Sequence, residues 1–262
     1  MPPGLVEKTY RVSQEQYNDY HRNGYFIAEK LFSEKECDAI LQTIKSHANK
    51  DFAAIINPDR EDFLAKQAPL SSRESVRSAS QFLRNVMKDV RIVSIIETLQ
   101  GKEVVGLMSQ MLFKEAGSAY ASQAWNPHQD NAYCRNPNGQ YVTTNLFLAD
   151  ADRENGSLYI YPHSHQAGIL EAKPTTSYRE TIGQNPGNTV EVPPQYVKMD
   201  LKFRKGDLLL LHGNTIHGSY PNRSETRSRP LYSCSYITQG EEFISGKNAQ
   251  RRVIPLHGLK GC

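Results

Sequence analysis

The sequence predicts an α+β domain in which N-terminal helices buttress one face of a β-sandwich or jelly roll. Three observations predict it. Apolar residues recur at helical spacing up to about Leu99. From Val104 onward the period changes from about 3.6 residues to 2. The later apolar segments are short and bounded by turn residues, as strands of a sandwich are.

Each element has its own reason. Ser13-Gln14-Glu15-Gln16 is a capping box, and the helix it opens stops at Asn23-Gly24. Tyr25-Phe26-Ile27-Ala28 reads as a short strand. Ser33-Glu34-Lys35-Glu36 is a second capping box, followed by an apolar face of Cys37, Ile40, Leu41 and Ile44. Residues 51–72 carry few periodic signals and predict a long loop. One longer helix follows, with Val76, Ala79, Phe82, Leu83, Val86, Val90 and Val93 on its buried side. Strands are predicted over 104–113, 141–148, 158–161, 208–211 and 231–237, with Asn155-Gly156 as a tight hairpin turn before the third. Residues 166–200 are polar and contain Asn185-Pro186-Gly187-Asn188 and Pro193-Pro194, which predicts a lid-like insertion. The whole chain, 1–262, reads as one domain without internal repeats.

Composition narrows the function. A net charge of +3, with no concentrated basic stripe, argues against nucleic acid and anionic membranes as partners. No apolar run approaches the roughly 20 residues that span a bilayer, and the first residues lack the apolar core of a signal peptide. Cys37, Cys134, Cys234 and Cys262 have no metal-finger or redox spacing. They read as free thiols of a cytoplasmic protein.

The chemistry concentrates in His128-Gln129-Asp130 and, far downstream, His217. Two imidazoles and one carboxylate form the facial triad that holds non-haem Fe(II) and leaves three positions open on one face. On an extended strand, His128 and Asp130 point to the same side. The third ligand then comes from a distant strand, and His217 follows the apolar run 208–211. Gly218 would let the backbone approach the metal, and Ser219 returns to the same face. His212 competes for the third place, and its plain reading is a strand-end histidine. Of the arginines that follow, Arg223 falls in a turn, while Arg227 and Arg229 share strand parity. Arg229 opens the last strand and would clamp an acidic cosubstrate through its planar fork. His163 and His165 suggest a second metal pair less well than a turn with one hydrogen-bonded histidine. Tyr133 and Arg135 follow the metal motif and would line the pocket mouth, and Arg135 with Arg179 of the insertion would suit an acidic small molecule. The plain alternative to the whole reading is a loop histidine beside a turn aspartate.

Taken together, the motifs resemble the phytanoyl-CoA dioxygenase family of Fe(II)/2-oxoglutarate oxygenases. The likeness runs from about Ser13 to Ile237. It includes Asn23-Gly24-Tyr25-Phe26-Ile27, Asn126-Pro127-His128-Gln129-Asp130, Glu154-Asn155-Gly156-Ser157, Pro162-His163-Ser164-His165, Lys205-Gly206-Asp207, His217-Gly218-Ser219 and Asn222-Arg223-Ser224. His163 departs from the family, which usually has glycine there. The spacing from His217 to the matched arginine is one residue longer than in relatives, so Arg227 and Arg229 both stay open. The resemblance implies a double-stranded β-helix with the helices packed outside it. It implies His128, Asp130 and His217 as iron ligands, Arg229 and Ser219 on the distal carboxylate of 2-oxoglutarate, and Asn145 and Gln110 beside the cosubstrate. It implies O2 as second cosubstrate, ascorbate as a supportive reductant, release of succinate and CO2, and hydroxylation of a C–H bond in a small-molecule metabolite. The carboxylate ligand Asp130 speaks against halogenation. Two other classes stay open: a sensor or pseudoenzyme of the same fold without turnover, and a zinc hydrolase or isomerase on the same triad.

Overall fold

Two antiparallel sheets face each other, and the residues that line the space between them belong to strands that sit far apart in sequence. The computed structural model describes residues 10–47, 54–175 and 187–257. The N-terminal part holds helices α1 (Gln14–Asn23), α2 (Glu34–Lys45), α3 (Glu61–Gln67), α4 (Arg73–Met87) and α5 (Val90–Gln100), with strands β1 (Tyr25–Ala28) and β2 (Ala54–Ile56) between them. Then come β3 (Val104–Leu112), β4 (Trp125–His128), the single-turn α6 (Asn131–Cys134), β5 (Tyr141–Phe147) and β6 (Leu158–Ile160). The chain continues through β7 (Ala172–Pro174), β8 (Asn188–Val190), β9 (Met199–Asp200), β10 (Leu208–His212), β11 (His217–Ser219) and β12 (Leu231–Thr238). The major sheet runs β1-β10-β5-β12-β3-β2, and the minor sheet β4-β11-β6-β9. This is the double-stranded β-helix, buttressed by the N-terminal helices.

The major sheet is buried on both faces. On its outer face Val142, Leu146, Leu208, Leu210, Tyr232, Cys234 and Tyr236 pack against residues of α1, α2, α4 and α5. The Tyr232 and Tyr236 hydroxyls donate to the carbonyls of Leu83 and Met87, at 3.1 and 2.9 Å, and peg α4 to the sheet. The tyrosines of this strand thus serve packing, with each polar tip satisfied by a carbonyl of the last turns of α4, that of Met87 being one of the orphan carbonyls of the helix end. Between the sheets, one end is closed by Phe147, Leu158, Ile160, Leu209, Leu211 and Leu231. The four leucines of β10 alternate between these two cores, and all are fully buried. Each such side chain contributes roughly 1.5–3 kcal/mol. The other end of the space is polar and becomes the site.

Both capping boxes form, and Gly24 closes α1 in the left-handed region at φ +80°. Gly206 must be glycine. Its φ is +95°, and a Cβ there would lie 2.1 Å from the Phe32 carbonyl oxygen. The neighbouring Asp207 carboxylate accepts from the backbone N–H of Lys30 and Arg204, tying the start of β10 to the chain ahead of α2.

Three expectations need correction. Residues 54–72 hold β2 and α3 rather than a loop, because β2 gains its ladder from distant β3. The longer helix is two helices. Asp89 ends the first run by capping the second, its carboxylate accepting from Arg91 N at 2.9 Å, which leaves Val90 exposed. Asn155-Gly156 is no hairpin turn, since β5 and β6 lie in different sheets and this bend carries the chain across. The excursion 166–200 contains the ribbon β7–β8 and strand β9, which extends the minor sheet beside β6. Arg179, with the rest of 176–186, lies outside the described residues. No helix among the described residues is long and apolar enough to cross a membrane.

Glu36 couples the second capping box to a buried cation. It accepts from Ser33 N at 2.7 Å and from Arg91 Nη2 at 2.8 Å, while Arg91 also holds Asp89 and lies over the Phe32 ring. Burial raises the Glu36 pKa, but the bonds from Arg91 and Ser33 outweigh it and hold the carboxyl below its usual value. A depressed folded-state pKa stabilises above the unfolded value, about 4.3, and that contribution is lost as pH falls through the folded value. Glu36→Gln is therefore expected to cost about 1–2 kcal/mol at neutral pH. In urea unfolding the gap to wild type should close below a pH of about 4; a gap that is constant with pH would show that the charge is not the cause.

Candidate metal centre

His128, Asp130 and His217 converge, each offering a ligand atom within 4.8 Å of the others. His128 ends β4 and His217 opens β11, and the two are direct partners across the antiparallel ladder. Their Nε2 atoms lie 3.6 and 3.7 Å from the two Asp130 oxygens. His128 Nδ1 is 2.7 Å from the Asn126 carbonyl, and His217 Nδ1 is 3.0 Å from the Thr215 carbonyl. A carbonyl only accepts, so each Nδ1 carries the proton and each Nε2 turns a lone pair inward, as ligation requires. Asp130 is held by Thr143, whose hydroxyl donates to Oδ2 at 2.5 Å.

The protonation states suit a divalent cation. Burial pushes the His217 pKa down to about 4, so that ring is neutral at pH 7. Burial raises that of Asp130, but His217, His128 and Thr143 outweigh it and keep the carboxylate ionised. For His128 burial pulls the pKa down and Asp130 more than restores it. A neutral ring, an ionised carboxylate and two oriented Nε2 atoms make the donor set of a facial triad.

Asp130 does not reach the site by strand alternation. The extended backbone ends at His128, and Asp130 has helical dihedrals (φ −64°, ψ −34°) as the N-cap of the α6 turn. Gln129 fixes this turn from inside. Its amide donates to the carbonyls of Gly168 and Asn214 and accepts from Leu170 N. Nor does the apolar run 208–211 lead straight to the ligand, since β10 belongs to the major sheet and His217 to the minor one. Gly218 is required by its neighbours rather than by a metal: a Cβ there would meet the Trp125 carbonyl at 2.5 Å and the Tyr159 hydroxyl at 2.4 Å.

A cavity of about 720 Å³ opens beside the triad, within the range of ligand sites. Its wall includes Ser219 and Arg229. Arg229 is 1% exposed; its Nε donates to the Gly156 carbonyl at 3.1 Å, while its Nη1 is buried with no hydrogen-bond partner. Burial draws its pKa down to about 10, which still leaves it charged at pH 7. Arg227 is different. It is bound by Asp152 and Glu154 outside the cavity wall. Gln110 and Asn145 line the cavity on either side of Ser233, each its register partner across β12. Tyr133 lines it too, with its hydroxyl accepting from Asn188 N at 2.9 Å. Arg135 is exposed and outside the wall, its backbone left-handed at φ +54°.

Three residues of the site escaped the sequence reading. Thr143 orients Asp130. Lys114 is fully buried, and its ammonium donates to Ser219 Oγ at 2.8 Å and to the Tyr220 carbonyl. The Lys114 carbonyl accepts from Arg229 N and from the Asn222 amide, so one residue ties both carboxylate-binding candidates together. Burial, and then the charge of Arg229, pushes the Lys114 pKa well down. The third is Arg251, in the segment after β12, which also lines the cavity.

His212 stays apart from the triad, its Nδ1 accepting from Asn214 N. His163 and His165 face the carbonyls of Arg22 and His21, and His163 takes the left-handed backbone (φ +68°) that favours a glycine. Each of His128→Ala, Asp130→Ala and His217→Ala is expected to abolish high-affinity Fe(II) binding in anaerobic calorimetry, with thermal unfolding still cooperative. His212→Ala is expected to keep it. Loss of iron in His212→Ala with retention in His217→Ala would reverse the ligand assignment.

Comparisons with known proteins place the chain in a family. The family model for phytanoyl-CoA dioxygenase matches residues 20–231. Phytanoyl-CoA dioxygenase 1 of Oryza sativa subsp. japonica is 27% identical over 239 residues, covering 89% of this chain and 83% of the relative. Ectoine dioxygenase of Bordetella bronchiseptica is 22% identical, covering 95% and 87%. Among solved structures, the epimerase SnoN in complex with Fe3+, alpha ketoglutarate and nogalamycin RO superposes with a TM-score of 0.65 at 20% identity, covering 94% of this chain and 96% of that one. That likeness establishes the fold. With the family model spanning most of its length, the chain belongs to the phytanoyl-CoA dioxygenase family of 2-oxoglutarate-dependent dioxygenases.

Proposed function

We propose that the protein hydroxylates a C–H bond of a small-molecule metabolite, with 2-oxoglutarate and O2 as cosubstrates and ascorbate as a supporting reductant. The observation that carries this reading is the Arg229 guanidinium. It is buried, one of its nitrogens has no partner, and it opens on the same cavity as the triad. A buried cation left without a counter-ion is costly unless a ligand completes it. Iron and 2-oxoglutarate, when bound, supply the oxidising chemistry, with succinate and CO2 as products.

The chain's own groups do the rest. Arg229 would pair with the distal carboxylate through its free nitrogen. Ser219 accepts from Lys114, so its own hydroxyl proton is left to donate to the same carboxylate. Lys114 backs both through its bond to Ser219 Oγ and its carbonyl's bond to Arg229 N, and an incoming dicarboxylate would favour the charged form of its amine. Asn145 and Gln110 would flank the cosubstrate from the major sheet. Gly187 and Tyr133 line the cavity wall, and the described parts of the excursion, 166–175 and 187–200, would shield the centre from water as a lid. The carboxylate ligand Asp130 leaves no ligand position for a halide, which favours hydroxylation over halogenation.

Anaerobic protein with Fe(II) and 2-oxoglutarate is expected to show a visible charge-transfer band, and with substrate in air to form succinate. Metal and 2-oxoglutarate that both bind without a band, or a band without succinate for any of a broad set of metabolites, would favour a non-catalytic binding protein. Turnover that persists without O2 would favour a hydrolase or isomerase.

The two arginines separate in kinetics. Hydrogen bonds to charged groups are worth about 1.5–3 kcal/mol each, so Arg229→Ala should raise the KM for 2-oxoglutarate roughly ten- to a hundredfold or more. Arg229→Lys should recover only part, because a point charge cannot reproduce the fork. Arg227→Ala should leave that KM close to wild type and lower stability slightly. The reverse pattern would assign the clamp to Arg227.

A further inference from the structure

Arg251 is the second buried guanidinium of the cavity. It is 8% exposed and lines the wall, and among the described residues no carboxylate lies within ion-pair distance of it. Its Nη1 makes only two long bonds, 3.4 Å each, to the carbonyls of Tyr133 and Ser245, and its Nε is buried with no partner. The turn 245–251 presents it, with Arg251 N donating to the Ser245 carbonyl and Ser245 Oγ to the Arg251 carbonyl.

Strand register places this group relative to the metal and to Arg229. Along β5, Phe147 pairs with Leu231, two residues after Arg229. Thr143, which holds Asp130, comes four residues earlier, and Tyr141 two before that. The charge of Arg251 is felt by Tyr141, Tyr133 and Cys134. The order along the cavity is therefore Arg229, metal triad, Arg251. From Thr143 to Tyr141 is about 7 Å of strand. A 2-oxoglutarate stretched between Arg229 and the metal leaves the Arg251 end for the substrate.

The charge of the wall points the same way. Asp130 is the one carboxylate among the described cavity-lining residues, and it is spoken for by the metal. The same wall holds Arg251 as well as Arg229, and also the exposed Lys66 and Lys247. We propose that Arg251 anchors an anionic group of the substrate, so that the substrate is a small acid, a carboxylate or phosphate monoester, whose reacting C–H lies a few bonds from the anion. This deepens the dioxygenase reading above and rests on it. Lys66 and Lys247 would raise the local concentration of such an acid.

The test uses the charge-transfer band of anaerobic protein loaded with Fe(II) and 2-oxoglutarate. The band is titrated with short- and medium-chain carboxylic acids, with their methyl esters, and with alkyl and sugar phosphate monoesters. Acids or phosphates are expected to perturb the band, and the corresponding neutral esters to do so far more weakly. Which charged class binds tells carboxylate from phosphate. Arg251→Gln should weaken the binders about ten- to a hundredfold while keeping the unperturbed band, which reports an intact centre. Arg251→Lys should restore part of the affinity, and Arg252→Gln, exposed and outside the wall, should match wild type. No band in wild-type protein sinks the underlying dioxygenase reading. A normal band that no anion perturbs, esters that bind as well as acids, or Arg251→Gln with wild-type affinity overturns the proposal for Arg251 alone.

Discussion

The site depends on one register: His217 opposite His128 in the pairing of β11 with β4. It brings the two rings to 4.4 Å between centroids, and each turns its Nε2 toward the same carboxylate. Side chains alternate along a strand, so a slip of one residue would send one imidazole to the opposite face. His217 and Ser219 alternate onto the same face of β11, which keeps Ser219 on the cavity wall, and the irregularity between them falls on the β4 side, where Trp125 takes the place opposite Ser219. The pairing is pinned from both sides. The Asn126 and Thr215 carbonyls fix the ring tautomers, and the crowding of Trp125 and Tyr159 around Gly218 leaves the strand no room to shift.

Around this register the protein keeps charge where packing alone would not. Arg229, Lys114 and Arg251 are all buried, and no ion pair joins any of them to a carboxylate among the described residues. Buried pairs are weak stabilisers at best, and unpaired buried cations cost more still. Elsewhere the chain answers burial with a partner, as in the contacts of Arg91 with Glu36 and Asp89. Its failure to do so at the cavity is a local cost of the kind that binding sites carry.

Much of this was legible in the sequence, and the unread part has a common cause. Capping boxes, strand periods and the triad announce themselves through local spacing, so the helices, the strands and His128, Asp130 and His217 could be read. Lys114, Thr143 and Arg251 follow no spacing. Each acts through an element brought to it by the fold: β11, the α6 turn and the turn at 245–251. The same holds for β2, which is strand only because β3 accepts it, and for the break at Asp89, where one side chain outweighed a continuous apolar stripe. Arg135 shows the converse. It is close to the metal motif in sequence, but a left-handed backbone turns it out to solvent.

A dioxygenase exposes its own sulfur to oxidative damage, and the cysteines show where that damage can fall. Cys37, Cys134 and Cys234 are free and fully buried, and Cys134 lies only four residues beyond Asp130. Burial pushes the Cys134 thiol up to about 11 and the Cys37 thiol up to about 12. The thiolate is the form that oxidants attack, so thiols held protonated are slow to climb the ladder to sulfenic acid. Cys262 lies outside the described residues. Met108, by contrast, sits in the cavity wall itself, and a thioether needs no deprotonation to react. Ageing of the protein during uncoupled turnover should therefore be written first in methionine sulfoxide at Met108, and the core thiols should outlast the activity.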